Sequence, residues 1–372
     1  MVGPRVWLIA TLSLCVSACG SLPDFGDRGD DRDPARARAL ALTLLPEKLA
    51  DREGWADDLV EVFGALRLDA SAENLCAVIA VTEQESSFRV DPAVPNLAKI
   101  ALAEIESRAA KLFVPKALVH AALDLRSPTG ATYRQRLDAA RTERQLSEIY
   151  EDFIGQVPLG RRLLADYNPV RTGGPMQVSV AFAEDHAREH RYPFGNGDRI
   201  RREVFTRRGG LYFGTAHLLD YPASYDAMLH RFADFNAGHY ASRNAAFQNA
   251  VAIAGGTRIA LDGDLLVDGG RSDTAGETER AVRALAPKLR LDAAQIRADL
   301  QKGDGSEFET TATWRRTFEL ADRQARRPLP RAMTPQIRLQ SPKITRQLTT
   351  DWFARRVDDR HRRCLARDTR RS

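Results

Sequence analysis

Beyond its first twenty residues the chain has no apolar run long enough to form a helix across a bilayer, which takes about 20 predominantly apolar residues, so no later segment is expected to span a membrane. It also lacks an internal repeat or a low-complexity tract, and it has no strong charge bias. The 55 Lys and Arg residues nearly balance 50 Asp and Glu, leaving +5, which is a mixed solvated surface and no argument for nucleic acid. The one dense basic run, Arg355, Arg356, Arg360, Arg362 and Arg363, reads as a solvated helix face, with contact to anionic lipid headgroups as the alternative. His186 and His190 stand at i, i+4, but no third ligand is spaced to complete a metal site. Ser86 and Ser87 have no recognisable His/Asp arrangement for nucleophilic chemistry. Asp262 and Asp264 are explained by turn chemistry more simply than as calcium ligands. No metal and no cofactor are expected.

What is present begins at the N-terminus. Arg5 and the free amine precede Val6–Val16, an apolar stretch too short for a stable span. It runs into Val16-Ser17-Ala18-Cys19, which resembles the bacterial lipobox. That resemblance implies a signal peptide over residues 1–18 and a Cys19 that carries diacylglycerol and a further acyl chain such as palmitate, enough for durable anchoring without a spanning helix. Gly20, where an Asp would favour inner-membrane retention, implies the outer membrane and leaves open which face. Residues 19–37 are rich in Asp, Gly, Pro and Arg and poor in large apolar residues, so they read as a tether.

Folded structure is expected from about Arg38. To about Ala254 the apolar spacing is mostly helical, with punctuation at Pro92, Pro128, Pro158, Pro169 and Gly173-Gly174. A β-hairpin is expected over 257–268, where Ile259 and Leu261 would face Leu265 and Val267 across Asp262-Gly263-Asp264. Helices beginning near Glu277, Asp292 and Phe308 would complete a C-terminal helical subdomain over 255–372. The fold class is therefore mainly α.

Ser71 can cap a helix with Glu73 in its first turn, where negative charge is favourable. Leu75, Val78, Ile79, Val81 and Thr82 form one face of that helix. At about 100° per residue Glu85 falls within roughly 50° of the centre of this face, and Glu83 about twice as far round. Burial against apolar walls raises a carboxyl pKa, so Glu85 is a candidate general acid. A structural Glu paired with an Arg is the alternative from this segment alone.

Four motifs in fixed order bear on that choice. Glu85-Ser86-Ser87-Phe88 resembles the E-S-x-F motif of the lytic transglycosylases, Gly174-Pro175-Met176-Gln177-Val178 their G-L-M-Q-V turn, Gly214–Leu219 their G-x-x-Y-L segment and Phe235-Asn236-Ala237-Gly238 their Y-N-A-G. The resemblance implies a lysozyme-like helical domain over 38–254 that cleaves the bond between N-acetylmuramic acid and N-acetylglucosamine in peptidoglycan. One carboxyl, Glu85, would protonate the leaving oxygen and then take the proton of the attacking C6 hydroxyl. Ser86, Met176, Gln177, Asn236 and Tyr240 would line the sugar cleft. The chain departs from the pattern in three ways. Glu85 and Gln177 stand 92 residues apart, which implies a helical insertion over about 96–168. Pro175 replaces a Leu, and Phe235 replaces a Tyr, for whose hydroxyl Tyr212 or Tyr240 would have to compensate. The insertion has an apolar stripe of Leu97, Ala101, Ile105, Leu112, Val119 and Leu123 but little second face, so it is expected to pack as a layer beside the cleft.

Asn168–Ser179, Arg208–Thr215, Phe232–Gly238 and Ser341–Arg346 also resemble the YaiW-like proteobacterial outer-membrane lipoproteins, a family without an established activity. Two functional classes stay open: an enzyme acting on glycan strands, and a lysozyme-like cleft that only binds glycan or scaffolds an envelope complex. With Cys15 in the signal peptide and Cys19 acylated, Cys76 and Cys364 are the two remaining thiols, and in an oxidising periplasm they are expected to form a disulfide.

Overall fold

A computed structural model describes residues 33–195, 199–339 and 347–368, and over these the chain is mainly helical. The signal peptide, Cys19 and the Ser341–Arg346 stretch lie outside the described residues. Among those described, no helix is long and apolar enough to cross a membrane.

Helical structure begins earlier than Arg38. Pro34–Leu44 is a helix because the Asp33 carboxylate accepts from the Ala35 N–H at 2.9 Å and Pro34 occupies the first turn, where no N–H is needed. Arg52–Leu66 and Ala72–Ser86 follow, capped by the side chains of Asp51 and Ser71. These three helices, with Arg207–Leu219, Met228–Ala237 and the last helix, Thr350–Asp368, enclose the first apolar core. The buried Asp58 carboxylate joins Arg52–Leu66 to the start of Arg207–Leu219 by accepting from both Arg207 and Arg208.

The last helix packs on Ala72–Ser86 and Met228–Ala237, so it belongs to the first core and not to a self-contained unit over 255–372. Phe353, Ala354, Val357 and Cys364 turn inward. The Arg-rich tail is thus only partly solvated: Arg355 pairs with Asp351 at the surface, whereas Arg360 approaches Glu83 and His361 Nε2 donates to the Glu73 carbonyl at 3.0 Å. The Cys76–Cys364 disulfide is formed, closing 288 residues with a Cα separation of 5.5 Å.

A second core is built between Ala241–Gly255 and the helices Glu277–Ala284, Ala293–Leu300 and Ala312–Ala325, around Phe247, Phe308, Trp314 and Phe318. The expected hairpin over 257–268 is absent. That segment is irregular and ends in a 3-10 turn, Val267–Gly270. One buried side chain takes the place of a partner strand: Gln248 accepts from the Gly263 N–H at 2.8 Å and donates to the Asp264 carbonyl at 3.0 Å and to Asp262 at 2.7 Å. Backbone groups satisfied in this way have no need of a ladder. Among the described residues strands occur elsewhere, as two short antiparallel pairs, Thr172–Gly173 with Val178–Ser179 and Arg338–Leu339 with Leu348–Thr349.

Over 96–168 the helices Leu97–Lys111, Lys116–Leu123, Tyr133–Ala139 and Glu143–Gln156 surround a third apolar cluster of their own. The second face that the stripe on the first two helices needed comes from Tyr133, Leu137, Leu146 and Ile149, while Val170 and Phe205 join the cluster to the rest of the chain.

Candidate active site

The Ala72–Ser86 helix runs through the first core, burying every residue from Leu75 to Thr82, and delivers Glu83 and Glu85 at its emerging end. The structure treats the two carboxylates differently. Glu83 lies 3.5 Å from Arg360 Nε. Glu85 keeps part of its surface in solvent, yet its carboxyl is set deep among neighbouring atoms and no cation pairs with it among the described residues. Burial raises its pKa to about 7, and the Glu143 carboxylate adds to the rise.

Glu143 arrives from the insertion. Thr142 caps the Glu143–Gln156 helix in a reciprocal capping box with Gln145. That helix start is tied to the chain just past Glu85, because Asp91 accepts from Thr142 Oγ1 and Arg144 Nε, both at 2.9 Å, and the Val94 N–H donates to the Arg141 carbonyl at 2.8 Å. Glu143 thus stands in the first turn of its helix, close enough for its charge to favour the protonated form of Glu85. Sequence reasoning had no place for Glu143. The T-x-x-Q capping box was visible in the sequence, but the closeness of two carboxylates separated by 58 positions was not.

After the helix the chain turns sharply, with Ser87 and Phe88 both in the left-handed region at φ 51° and 62°. Non-glycine residues adopt that region at a cost. Here Phe88 lands edge-on against Trp55 with ring centroids 5.3 Å apart.

The other residues singled out in the sequence are held by internal contacts. Ser86 Oγ donates to the Thr82 carbonyl at 3.1 Å within its own helix. Met176 is fully buried in the first core, directly against Gly214, where an added Cβ would come within 2.4 Å of the Met176 sulfur. Gln177 accepts from Thr172 Oγ1 at 3.3 Å and donates to the Gly174 carbonyl at 3.2 Å, closing the turn between the two short strands. Gly174 itself, at φ 72°, leaves room for the Val204 carbonyl that a Cβ would meet at 2.1 Å. Asn236 Oδ1 accepts from Thr350 Oγ1 at 3.0 Å, and the Tyr240 hydroxyl donates to the Pro222 carbonyl at 2.9 Å. Tyr212 is buried among Tyr192, Phe194, Phe213 and His186.

A column of rings also escaped the sequence reading: Phe182 packs against His186, His217 and His239, and His239 stacks on Tyr221 at 4.1 Å. Burial first, then the neighbouring His239, lowers the His217 pKa to about 3, so the ring is neutral and donates from Nε2 to the Phe235 carbonyl at 3.3 Å.

The raised pKa of Glu85 has a consequence that needs no substrate. A carboxyl whose pKa rises from 4.5 unfolded to about 7 folded stabilises the fold fully below pH 4.5 and loses that contribution as pH climbs to 7. Glu85→Gln is therefore expected to match the parent near pH 4 and to exceed it above pH 7 by a few kcal/mol at most. Urea midpoints at a series of pH values measure the difference. A gap that is constant with pH would place the Glu85 carboxyl in water.

The comparisons with known proteins agree with one another. A family model described as a protein of unknown function (DUF1615) matches residues 48–367. The uncharacterized protein YaiW of Escherichia coli (strain K12) is 54% identical over 323 residues, covering 86% of this chain and 87% of that protein. No solved structure matches the chain. A match across most of both sequences at that identity means that the chain belongs to the YaiW-like family, described as a protein of unknown function (DUF1615).

Proposed function

We propose that this chain cleaves peptidoglycan glycan strands as a lytic transglycosylase, on a lysozyme-like helical domain held at the outer membrane by acyl chains on Cys19. The observation that carries the reading is the state of Glu85: a desolvated carboxyl, unpaired among the described residues, with a pKa of about 7, able to give and take a proton near neutrality. Protonated Glu85 donates to the glycosidic oxygen as the bond to C1 breaks. The resulting carboxylate removes the proton of the C6 hydroxyl as that oxygen closes on C1, leaving a 1,6-anhydro end and a regenerated acid. Glu143 helps to hold the proton on Glu85 between turnovers.

Incubating the mature protein with purified murein and identifying the sugar ends tests this. Anhydromuramic ends are expected, with Glu85→Gln reducing their formation by about 10²–10⁴-fold and Glu83→Gln leaving it nearly unchanged. Reducing ends in place of anhydro ends would make the enzyme a hydrolase, with Glu143 as a second carboxylate.

A scaffolding reading is favoured by a separate observation: Met176, Gln177, Asn236 and Tyr240, which would line a sugar cleft, are all engaged within the protein. An inert wild type that does not sediment with murein would establish it, and an inert one that does would make the cleft a glycan-binding site. Anchoring is tested separately. Cys19→Ala is expected to abolish incorporation of a clickable fatty acid, and undiminished label would refute the anchor.

A further inference from the structure

Large apolar side chains exposed to solvent are concentrated in one part of the described chain. Except for Val267, all of them lie between Leu112 and Tyr167, with Phe113 94% exposed, Leu159 69% and Leu118 60%. Phe113 sits at the tip between two helices, held there at φ 58°. Monomeric proteins seldom leave apolar surface gathered in this way unless something covers it.

Behind this edge is a cavity of about 240 Å³, open on one side, whose mouth is formed by the exposed Val114 and Leu118 and whose walls include Leu123, Tyr133, Ile149 and Phe153. Its two hydroxyls are already used, Tyr133 donating to Gln156 Oε1 at 3.0 Å and Tyr150 to the Leu164 carbonyl at 2.7 Å. No polar group in the lining is left to meet a peptide backbone, which cannot be buried unsatisfied. A hydrocarbon chain brings no such requirement, and a dry apolar cavity of about 150 Å³ already accepts a benzene-sized guest. The cations beside the edge complete the match. Lys111, two residues before Phe113, is exposed with no ion pair among the described residues, and Lys116 keeps most of its side chain in solvent beside Glu106. Long cationic side chains next to apolar tips suit the headgroup level of an anionic bilayer.

We propose that this edge of the insertion docks on a lipid bilayer, with Phe113 and Leu118 in the interface and an acyl chain of a bilayer lipid entering the cavity. The docking makes no use of Glu85, so a failed glycan assay leaves it standing, and its own failure leaves the glycan reading standing.

The test uses the mature chain carrying Cys19→Ala, so that no attached lipid contributes, and vesicles of phosphatidylethanolamine and phosphatidylglycerol. The protein is expected to float with these vesicles, and more weakly with vesicles of phosphatidylethanolamine and phosphatidylcholine. Phe113→Ser with Leu118→Ser is expected to lower the bound fraction about tenfold or more while leaving the melting temperature unchanged, since both side chains are exposed. In Phe113→Trp, emission is expected to shift to shorter wavelength and to be quenched by lipids brominated on the acyl chains. Protein that stays out of the floating fraction, a double variant that floats like its parent, or unquenched emission would overturn the proposal. Self-association on sizing without flotation would also overturn it, and would give the surface to a second copy of the chain.

Discussion

Replacing Cys76 and Cys364 together by Ala is expected to lower the free energy of unfolding by about 3–5 kcal/mol while the last helix keeps its seat. The loop that the bond closes spans 288 residues. The chain-entropy relation gives on the order of 6 kcal/mol for a loop of that length, and measured effects commonly fall below the relation. The helix should remain docked because its other attachments are independent of sulfur. Phe353, Ala354 and Val357 are buried, His361 donates to the Glu73 carbonyl, and Arg367 reaches the Leu44 carbonyl at the end of the first helix. Both thiol positions are fully enclosed, with Cys76 in the middle of the first core, so small cavities contribute to the loss as well. Urea unfolding of the double variant, alongside the parent in reductant, measures it. A difference below 1 kcal/mol would show that the loop term is lost to residual structure in the unfolded chain.

The helix starts were legible where a cap was legible. Ser71 and Asp292 cap helices in the structure by accepting from the backbone three residues on, and that signal is local. The hairpin over 257–268 failed for the opposite reason. Its alternating pattern was correct as a pattern, but a strand needs a partner for its backbone, and Gln248, on the preceding helix, supplied the bonds from outside the segment. The insertion was readable as helices and unreadable as a core. The stripe on Leu97–Lys111 and Lys116–Leu123 shows one face, and only the folded chain brings Leu137, Leu146 and Ile149 onto it. At the candidate site, residue type carried over more reliably than side-chain direction. Met176 and Gln177 stand in the motif turn, yet one points into the core and the other spends its amide on Gly174 and Thr172. The pairing of Glu85 with Glu143 depends on Asp91 gripping Thr142 and Arg144, a tertiary contact that no spacing along the chain announces.

Arg243→Ala is expected to destabilise the protein by about 3–5 kcal/mol, close to the effect of losing the disulfide. Arg243 is fully buried in the helix Ala241–Gly255, whose inward face builds the second core, and its planar head lies over two aromatic rings. The guanidinium carbon lies 4.2 Å from the Tyr240 ring centroid and 5.3 Å from that of Phe308. In the plane, Nη1 donates to the Gly305 carbonyl at 2.8 Å, Nη2 donates to the Gly303 carbonyl at 2.5 Å, and Nε and Nη2 share Asn244 Oδ1 at 3.2 and 3.0 Å. Glu309, 3.9 Å away, is the nearest carboxylate. The turn at Gly303–Gly305 is therefore held by a cation and not by a ladder. Truncation leaves the Gly305 carbonyl without that donor and opens a cavity beside Phe308. Arg243→Lys should recover only part of the loss, because an ammonium is a point donor that cannot fork to Gly303, Gly305 and Asn244 at once, and it is more strongly hydrated and so costs more to bury. Chemical denaturation of the two variants gives the order. A Lys variant as stable as the parent would mean that charge alone holds the turn, and an Ala variant within 1 kcal/mol of the parent would mean that water replaces the guanidinium there.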